Sequence, residues 1–515
     1  MRGPMIRKTF CIAAAFLFIS LNAVAGGRPS PNSTPAQRDP VRKITIFYTS
    51  DEEGYLEPTK DRIKAYGGSA NVMAALRQRG YRPDGNQSLL LSGGDMWTGP
   101  AISTWFQGAS TVQVMNAMGY DAAVIGNHEF DFGQGILRAN KNAAKFTFLS
   151  ANLSVTGTGK PPDYCLPYII REVNGVSVAV IGLTTRQTPG IVVPVNVADL
   201  AFTNYAEALR RAVSQAMAEG AELPVVIAHV CPTDLHNLIP VAAELSIPLL
   251  AGGHCHAVVE NVEQKGVRVI GPGAHWQSFA QIDITFDTTA HKVLNTKAEL
   301  VPIEYPFGAS PLPPDPAVAA IVGDWSRKVE KALGEVIGYS AAGIQKGGLL
   351  FNLLLDSWLW AYPEADFAIS NFGSFREAIP PGEITRASIM TTWPFNNEIV
   401  SVELTGKQVL DNLLCCGGAV AGLTYRRSGD HVVATLKNGR ALDPGATYRV
   451  LVNSFMYAGG DNYLFQTQNP NGYNLGAQMQ EPVIKWIQSQ KTSPQRPLET
   501  LLNRAERGPI LNLKK

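Results

Sequence analysis

The chain has almost no bias of charge, with 44 lysines and arginines against 43 aspartates and glutamates. A protein that grips a nucleic-acid polymer through bulk basicity is therefore not expected. Long apolar runs are also missing. Beyond the N-terminus no stretch reaches the roughly 18 uninterrupted apolar residues of a membrane helix, so the mature chain should carry no stable membrane span. Cysteine is rare, with six in the chain, and no CxxC pair is present to frame a zinc ribbon. Histidine is almost as sparse, with eight. Internal repeats are absent. What remains is an ordinary apolar fraction, 45% over 515 residues, enough for at least two domains with sizeable cores.

The N-terminus reads as a secretory signal over positions 1–25. Arg7 and Lys8 form a basic start, an apolar segment follows from Phe10 to Leu21, and Ala23-Val24-Ala25 offers a small-x-small cleavage site. The expected destination is periplasmic or secreted. Cys11 leaves with the signal, so Cys165, Cys231, Cys255, Cys415 and Cys416 remain. An odd number means that at least one thiol stays free or pairs between chains, and the spacing does not give the connectivity. A leader rich in Pro, Ser, Gly and Asn is expected over 26–42.

From Lys43 onward strand and helix patterns alternate. Apolar strands are predicted at 44–49, 88–92, 122–125, 146–150, 176–182, 224–229 and 247–252, with helices over 68–79 and 205–220 among them. That alternation predicts a layered α/β domain over 43–304. Pro306, Pro311, Pro313, Pro314 and Pro316 then break the pattern. Asp315 is placed to cap a linker helix running from about Ala317 to Leu333, within a connection at 305–336. A separate C-terminal α/β domain is predicted over 337–505 and a tail over 506–515.

The polar residues follow the ends of the apolar strands, where sites gather in α/β sheets. Asp51-Glu52-Glu53-Gly54 follows the first strand, and Gly93-Gly94-Asp95 the second. Gly126-Asn127-His128-Glu129-Phe130-Asp131 follows the third. His229 ends another strand, and Gly253-His254-Cys255-His256 follows the last. Only His236, His275, His291 and His431 lie outside these clusters. Carboxylates, imidazoles and an amide oxygen converging from separate segments are what a site for two divalent cations needs, one carboxylate being shared.

Taken together and in this order, Asp51-x-Glu53, Gly94-Asp95, Gly126-Asn127-His128-Glu129, His229 and Gly253-His254-x-His256 resemble the motifs of calcineurin-like metallophosphoesterases, in the branch of 5′-nucleotidases and UDP-sugar hydrolases. The resemblance implies a layered metallophosphoesterase domain joined by a linker helix to a substrate-binding domain. It implies that Asp51 and His256 bind one metal, that Asp95 bridges, and that Asn127, His229 and His254 bind the other. His128, oriented by Asp131, would stabilise the charge building on the phosphoryl group or leaving oxygen. Glu53 stands where the family usually has histidine. As a harder ligand, it shifts the expectation among manganese, magnesium and zinc away from zinc.

In the second half, Asn371-x-Gly373-x-x-Arg376 is similar to the family's phosphate-binding stretch, with Arg376 as the clamp. Phe455 and Asp461 resemble its nucleobase and ribose contacts. The family's second stacking aromatic has no counterpart in Cys416–Leu423, and Lys346-Gly347-Gly348-Leu349 stands where another arginine is expected. The implied reaction is hydrolysis of a small-molecule phosphate ester, a 5′-nucleotide or nucleotide sugar, by metal-activated water. Hydrolysis of another tetrahedral anion, such as a sulfur-containing group on a carrier, and a catalytically inactive ligand-binding homologue are the alternatives. Mass spectrometry of the exported protein should find Gly26 as its first residue; retention of positions 1–25 would overturn the signal reading.

Overall fold

The computed structural model describes residues 40–60, 64–306 and 312–509. The predicted signal, most of the leader and positions 510–515 lie outside them. The first strand, Val41–Thr49, starts inside the expected leader. Its residues alternate: Ile44, Ile46 and Tyr48 face one way, and Phe47 faces the other. Both faces are apolar, so this strand must be covered on both sides.

The strand lies in the first of two six-stranded sheets, and its two faces are covered by the second sheet and by helices. In the first, Val41–Thr49 and Ser88–Ser92 pair in parallel, followed by Ala122–Val124 and Thr147–Leu149. Ser278–Asp287 and Lys292–Pro302 complete it antiparallel. In the second, Leu223–His229 lies between Val176–Thr184 and Leu249–Ala251, parallel to both. Val267–Pro272 continues the parallel run beside Leu249–Ala251.

The sheets pack face to face. Ile44, Ile46, Tyr48, Leu89 and Leu91 of the first share one buried cluster with Val178, Val180, Val225 and Ile227 of the second. Helices Ser69–Gln78 and Ala109–Met118 cover the outer face of the first sheet. Tyr205–Ala218 and Pro232–Glu244 cover that of the second. Strands clothed on both faces read as continuous apolar runs, which is how the sequence shows them. Their carboxyl ends open on one rim, so loops from both sheets meet there.

The linker helix spans Pro316–Leu333. Asp315 Oδ1 accepts from the backbone N–H of Ala317 and Val318, each at 3.1 Å. Its Oδ2 pairs with Arg77 Nε at 2.7 Å. Val318 and Val322 bury against the first half, and Leu333 meets Met390 of the second. The second half builds a five-stranded sheet in the order Ala419–Ala421, Phe367–Ser370, Thr447–Asn453, Glu398–Thr405, Tyr473–Gln478. Helix Gly348–Ala361 packs on it, with Trp358 wholly buried and its Nε1 donating to Met479 O at 2.9 Å. The tail is tethered further than expected: Arg507 forks onto Asp356 at 2.7 and 2.8 Å.

Among the described residues, Cys231 bonds to Cys255, Cys415 bonds to Cys416, and Cys165 is free and buried. No helix among them is long and apolar enough to cross a membrane. Replacing Asp315 with alanine should cost about 1 kcal/mol or more through loss of the cap, whereas Asp315→Asn, which keeps the accepting oxygen, should lose less than half as much. Urea midpoints measure the difference, and equal losses would contradict the capping role.

Candidate metal centre

The loops at the shared rim are held by backbone before any side chain acts. Asp51 N donates to Gly94 O at 2.9 Å, Glu53 N to Asp95 O at 2.8 Å, and Gly54 N to Met96 O at 2.9 Å. Asp51, Glu53, Asp95, His254 and His256 all have positive φ, between 43° and 73°. Side chains other than glycine seldom adopt that conformation, which costs on the order of 1–3 kcal/mol and persists where surroundings over-determine it, commonly at functional sites. Glycines give the carboxylates room. A side-chain carbon at Gly126 would lie 2.2 Å from Asp95 Oδ1, and one at Gly253 would lie 2.6 Å from Asp51 Oδ2.

Glu129 fastens these loops together. Its Oε2 accepts from Gly126 N at 2.6 Å and Asp95 N at 2.9 Å, and its Oε1 accepts from Met96 N at 2.7 Å. The sequence shows Glu129 as a motif member without a task. Its task is to satisfy three buried N–H groups.

Two neighbouring groups of donors result. In one, His229 Nε2 lies 2.9 Å from Asp95 Oδ2, 3.2 Å from Asn127 Oδ1 and 3.2 Å from His254 Nδ1. His229 Nδ1 is 2.9 Å from Gly93 O and must donate to it, which turns Nε2 toward the site. Burial disfavours a charged His229, but the Asp95 carboxylate outweighs it and lifts the ring to about 10. Burial and the neighbouring His229 push His254 down to about 3. Two imidazoles in contact thus cannot share protons comfortably, whereas both can share a cation.

In the other group, Glu53 Oε1 lies 3.2 Å from His256 Nε2, and Asp51 Oδ1 is 3.7 Å from the same nitrogen. Glu53 Oε2 lies 2.7 Å from Nε2 of His275, a residue the sequence motifs omit. Burial alone would raise the Glu53 carboxyl, but Arg376 and His256 hold it well below the usual range. The donor chemistry of both groups, buried carboxylates and imidazoles with an amide oxygen, fits divalent cations.

His128 stands between the groups. Its Nδ1 contacts Asp131 Oδ2 at 2.7 Å, and its Nε2 lies 3.7 Å from Glu53 Oε1 and 4.0 Å from Asp95 Oδ2. Burial works against its charge, but Asp131 and Asp95 prevail and lift it to about 9. Arg376 reaches in from the second half, donates to Glu53, lies 3.2 Å from His128 Nε2, and has its guanidinium 5.7 Å from the Phe395 ring.

The other residues singled out in the second half form a separate cluster. Asn371 Nδ2 donates to Asp461 Oδ2 at 2.7 Å, while Asn371 Oδ1 accepts from Asn453 Nδ2 at 3.0 Å. Gly373 is exposed. Phe455 is 9% exposed, and its ring lies so close over Gly460 that a side-chain carbon there would sit 2.2 Å away.

Residues 336–468 match the family described as 5′-nucleotidase, C-terminal domain. The 5′-nucleotidase of Vibrio cholerae is 27% identical over 508 residues, which is 86% of this chain and 90% of that one. Endonuclease YhcR of Bacillus subtilis is 28% identical over 88% of this chain, yet this chain spans only 40% of YhcR. The crystal structure of a 5′-nucleotidase precursor from Thermus thermophilus superposes with a TM-score of 0.76 at 25% identity, covering 91% of this chain and 99% of that one. With the ordered motifs and the paired donor groups, the chain is similar to 5′-nucleotidases over most of its length, and its residues 336–468 match their C-terminal domain.

Proposed function

We propose that this protein is a metal-dependent phosphohydrolase acting on 5′-nucleotides or nucleotide sugars outside the cytoplasm. The observation that carries the reading is the meeting of Arg376 with Glu53 and His128 at the rim where Asp95, His229 and His254 converge. An arginine fork beside carboxylates and imidazoles suits a phosphate ester, because guanidinium pairs with phosphate oxygens in two parallel hydrogen bonds. The relatives named 5′-nucleotidase support the nucleotide as leaving group.

In this reading Asp51, Glu53 and His256 would hold one cation, Asn127, His229 and His254 the other, and Asp95 would serve both. Cations bound there supply Lewis acidity toward phosphoryl oxygens and the activation of water at neutral pH. The carboxylate of Glu53 favours manganese or magnesium over zinc. His128 keeps Nδ1 on Asp131 and offers a proton from Nε2 to the departing oxygen. Arg376 turns from Glu53 to the phosphoryl group. Asn371, Gly373 and Asp461 would line the ribose side, and Phe455 the base. The division at the linker helix lets 337–505 carry the ester to 43–304, with a hinge in 305–336.

A substrate panel on the purified protein with defined metals tests the reading. Nucleoside monophosphates and nucleotide sugars should be hydrolysed faster than simple phosphate esters, sulfur-containing anions or single-stranded DNA. Chelation should abolish turnover, and manganese should restore it better than zinc alone. His128→Ala should lower kcat by about 100-fold or more, the usual worth of a positioned acid. Asp95→Ala should leave no measurable activity. Nucleotides left intact while another class turns over would overturn the substrate assignment.

A further inference from the structure

We propose that His275 is itself a metal ligand, completing with Glu53 and His256 a one-carboxylate, two-imidazole face that selects a first-row transition dication over magnesium. The proposal rests on the metal-centre reading above, adds a residue that the sequence motifs leave out, and removes magnesium from the ions that Glu53 alone would favour.

The three side chains converge closely enough to share one ion. Donors around an ion with bonds of about 2.1 Å stand about 3.0 to 3.4 Å apart in octahedral or tetrahedral arrangement. Glu53 Oε1 is 3.2 Å from His256 Nε2, inside that range, and Glu53 Oε2 is 2.7 Å from His275 Nε2, a hydrogen-bond distance that an ion between them would open. All three ligand atoms lie within 4.8 Å of one another. The three residues come from three segments: the loop after Val41–Thr49, the loop after Leu249–Ala251, and the loop after Val267–Pro272.

His275 is also held for the task. Its ring stacks on Tyr55 at 3.8 Å between centroids and 18° between planes, and meets His256 edge-on at 5.2 Å. Its backbone N–H donates to Asp51 O at 2.8 Å, fastening it to the loop that carries Asp51 and Glu53. It has φ 58°, and Trp276 after it has φ 60°. Two adjacent non-glycine residues in the left-handed region are an uncommon conformation, the kind found where a side chain must be aimed. The donor set then decides the ion. Imidazole nitrogen suits zinc, copper, iron and nickel, whereas magnesium takes oxygen and keeps its water.

The test uses the full chain, stripped of metal and titrated with cobalt(II), read by calorimetry and by the visible ligand-field bands. The wild type should bind two equivalents. His275→Ala should bind one equivalent as before and the second at least 100-fold more weakly, with the bands of that site altered. A 100-fold excess of magnesium should not displace cobalt from it. His275→Phe, which keeps a ring against Tyr55 and offers no donor atom, serves if the alanine variant does not fold. Unchanged binding and spectrum in the variant overturn the proposal. So does weaker binding with an unchanged spectrum, which marks a residue that only positions Glu53. Displacement by magnesium overturns the choice of ion. A wild type that binds fewer than two equivalents overturns the metal-centre reading itself, whatever His275 does.

Discussion

The site depends on crowding of backbone around carboxylates. Asp51, Glu53 and Asp95 stand on left-handed residues, cross-linked loop to loop by their own amide and carbonyl groups. Gly126 and Gly253 leave only enough space for the carboxylate oxygens beside them. A side chain at either position would press against the carboxylate beside it. The strain is held in place by the sandwich: two sheets sealed by one apolar seam fix the height of every strand end, and the strand ends fix the loops.

That arrangement also explains how the second half takes part. Arg376 enters a place dense in acid and base, where its charge is compensated by Glu53 and its guanidinium lies near Phe395. An arginine half-buried among acidic and aromatic groups is held there by its pairing, and removing Glu53 would leave its charge uncompensated. The two halves are thus joined electrostatically at the site as well as by the linker helix and its contacts at Met390.

Much of this was legible in the sequence. The strands were, because a strand buried on both faces is a short apolar block, and Leu223–His229 and Ser88–Ser92 are such blocks. The polar clusters at their ends were legible because strand ends fix where loops begin. Asp315 announced its helix by the order of cap and proline. The pairing of strands into two opposed sheets was not, since alternation of strand and helix does not say where one sheet ends and another begins. His275 was legible only in part: Gly273-Ala274-His275-Trp276 follows a strand, which places it where it could approach the metals, but the backbone reversal that sets it on Glu53 has no local signature. The partners of Cys231 and Cys255 were equally hidden, because they are made neighbours by adjacent parallel strands rather than by spacing.

That bond between Cys231 and Cys255 has a consequence for assembly. Cys231 lies two positions beyond His229, and Cys255 sits between His254 and His256, so the covalent link ties together the chain segments that carry three imidazoles. The tether closes a loop across a sequence separation of 24 and limits how far these rings can drift even when the rest of the chain is unfolded. An oxidising surrounding therefore delivers the histidines to the folding protein as a preassembled set, and a reducing one delivers them as independent pieces.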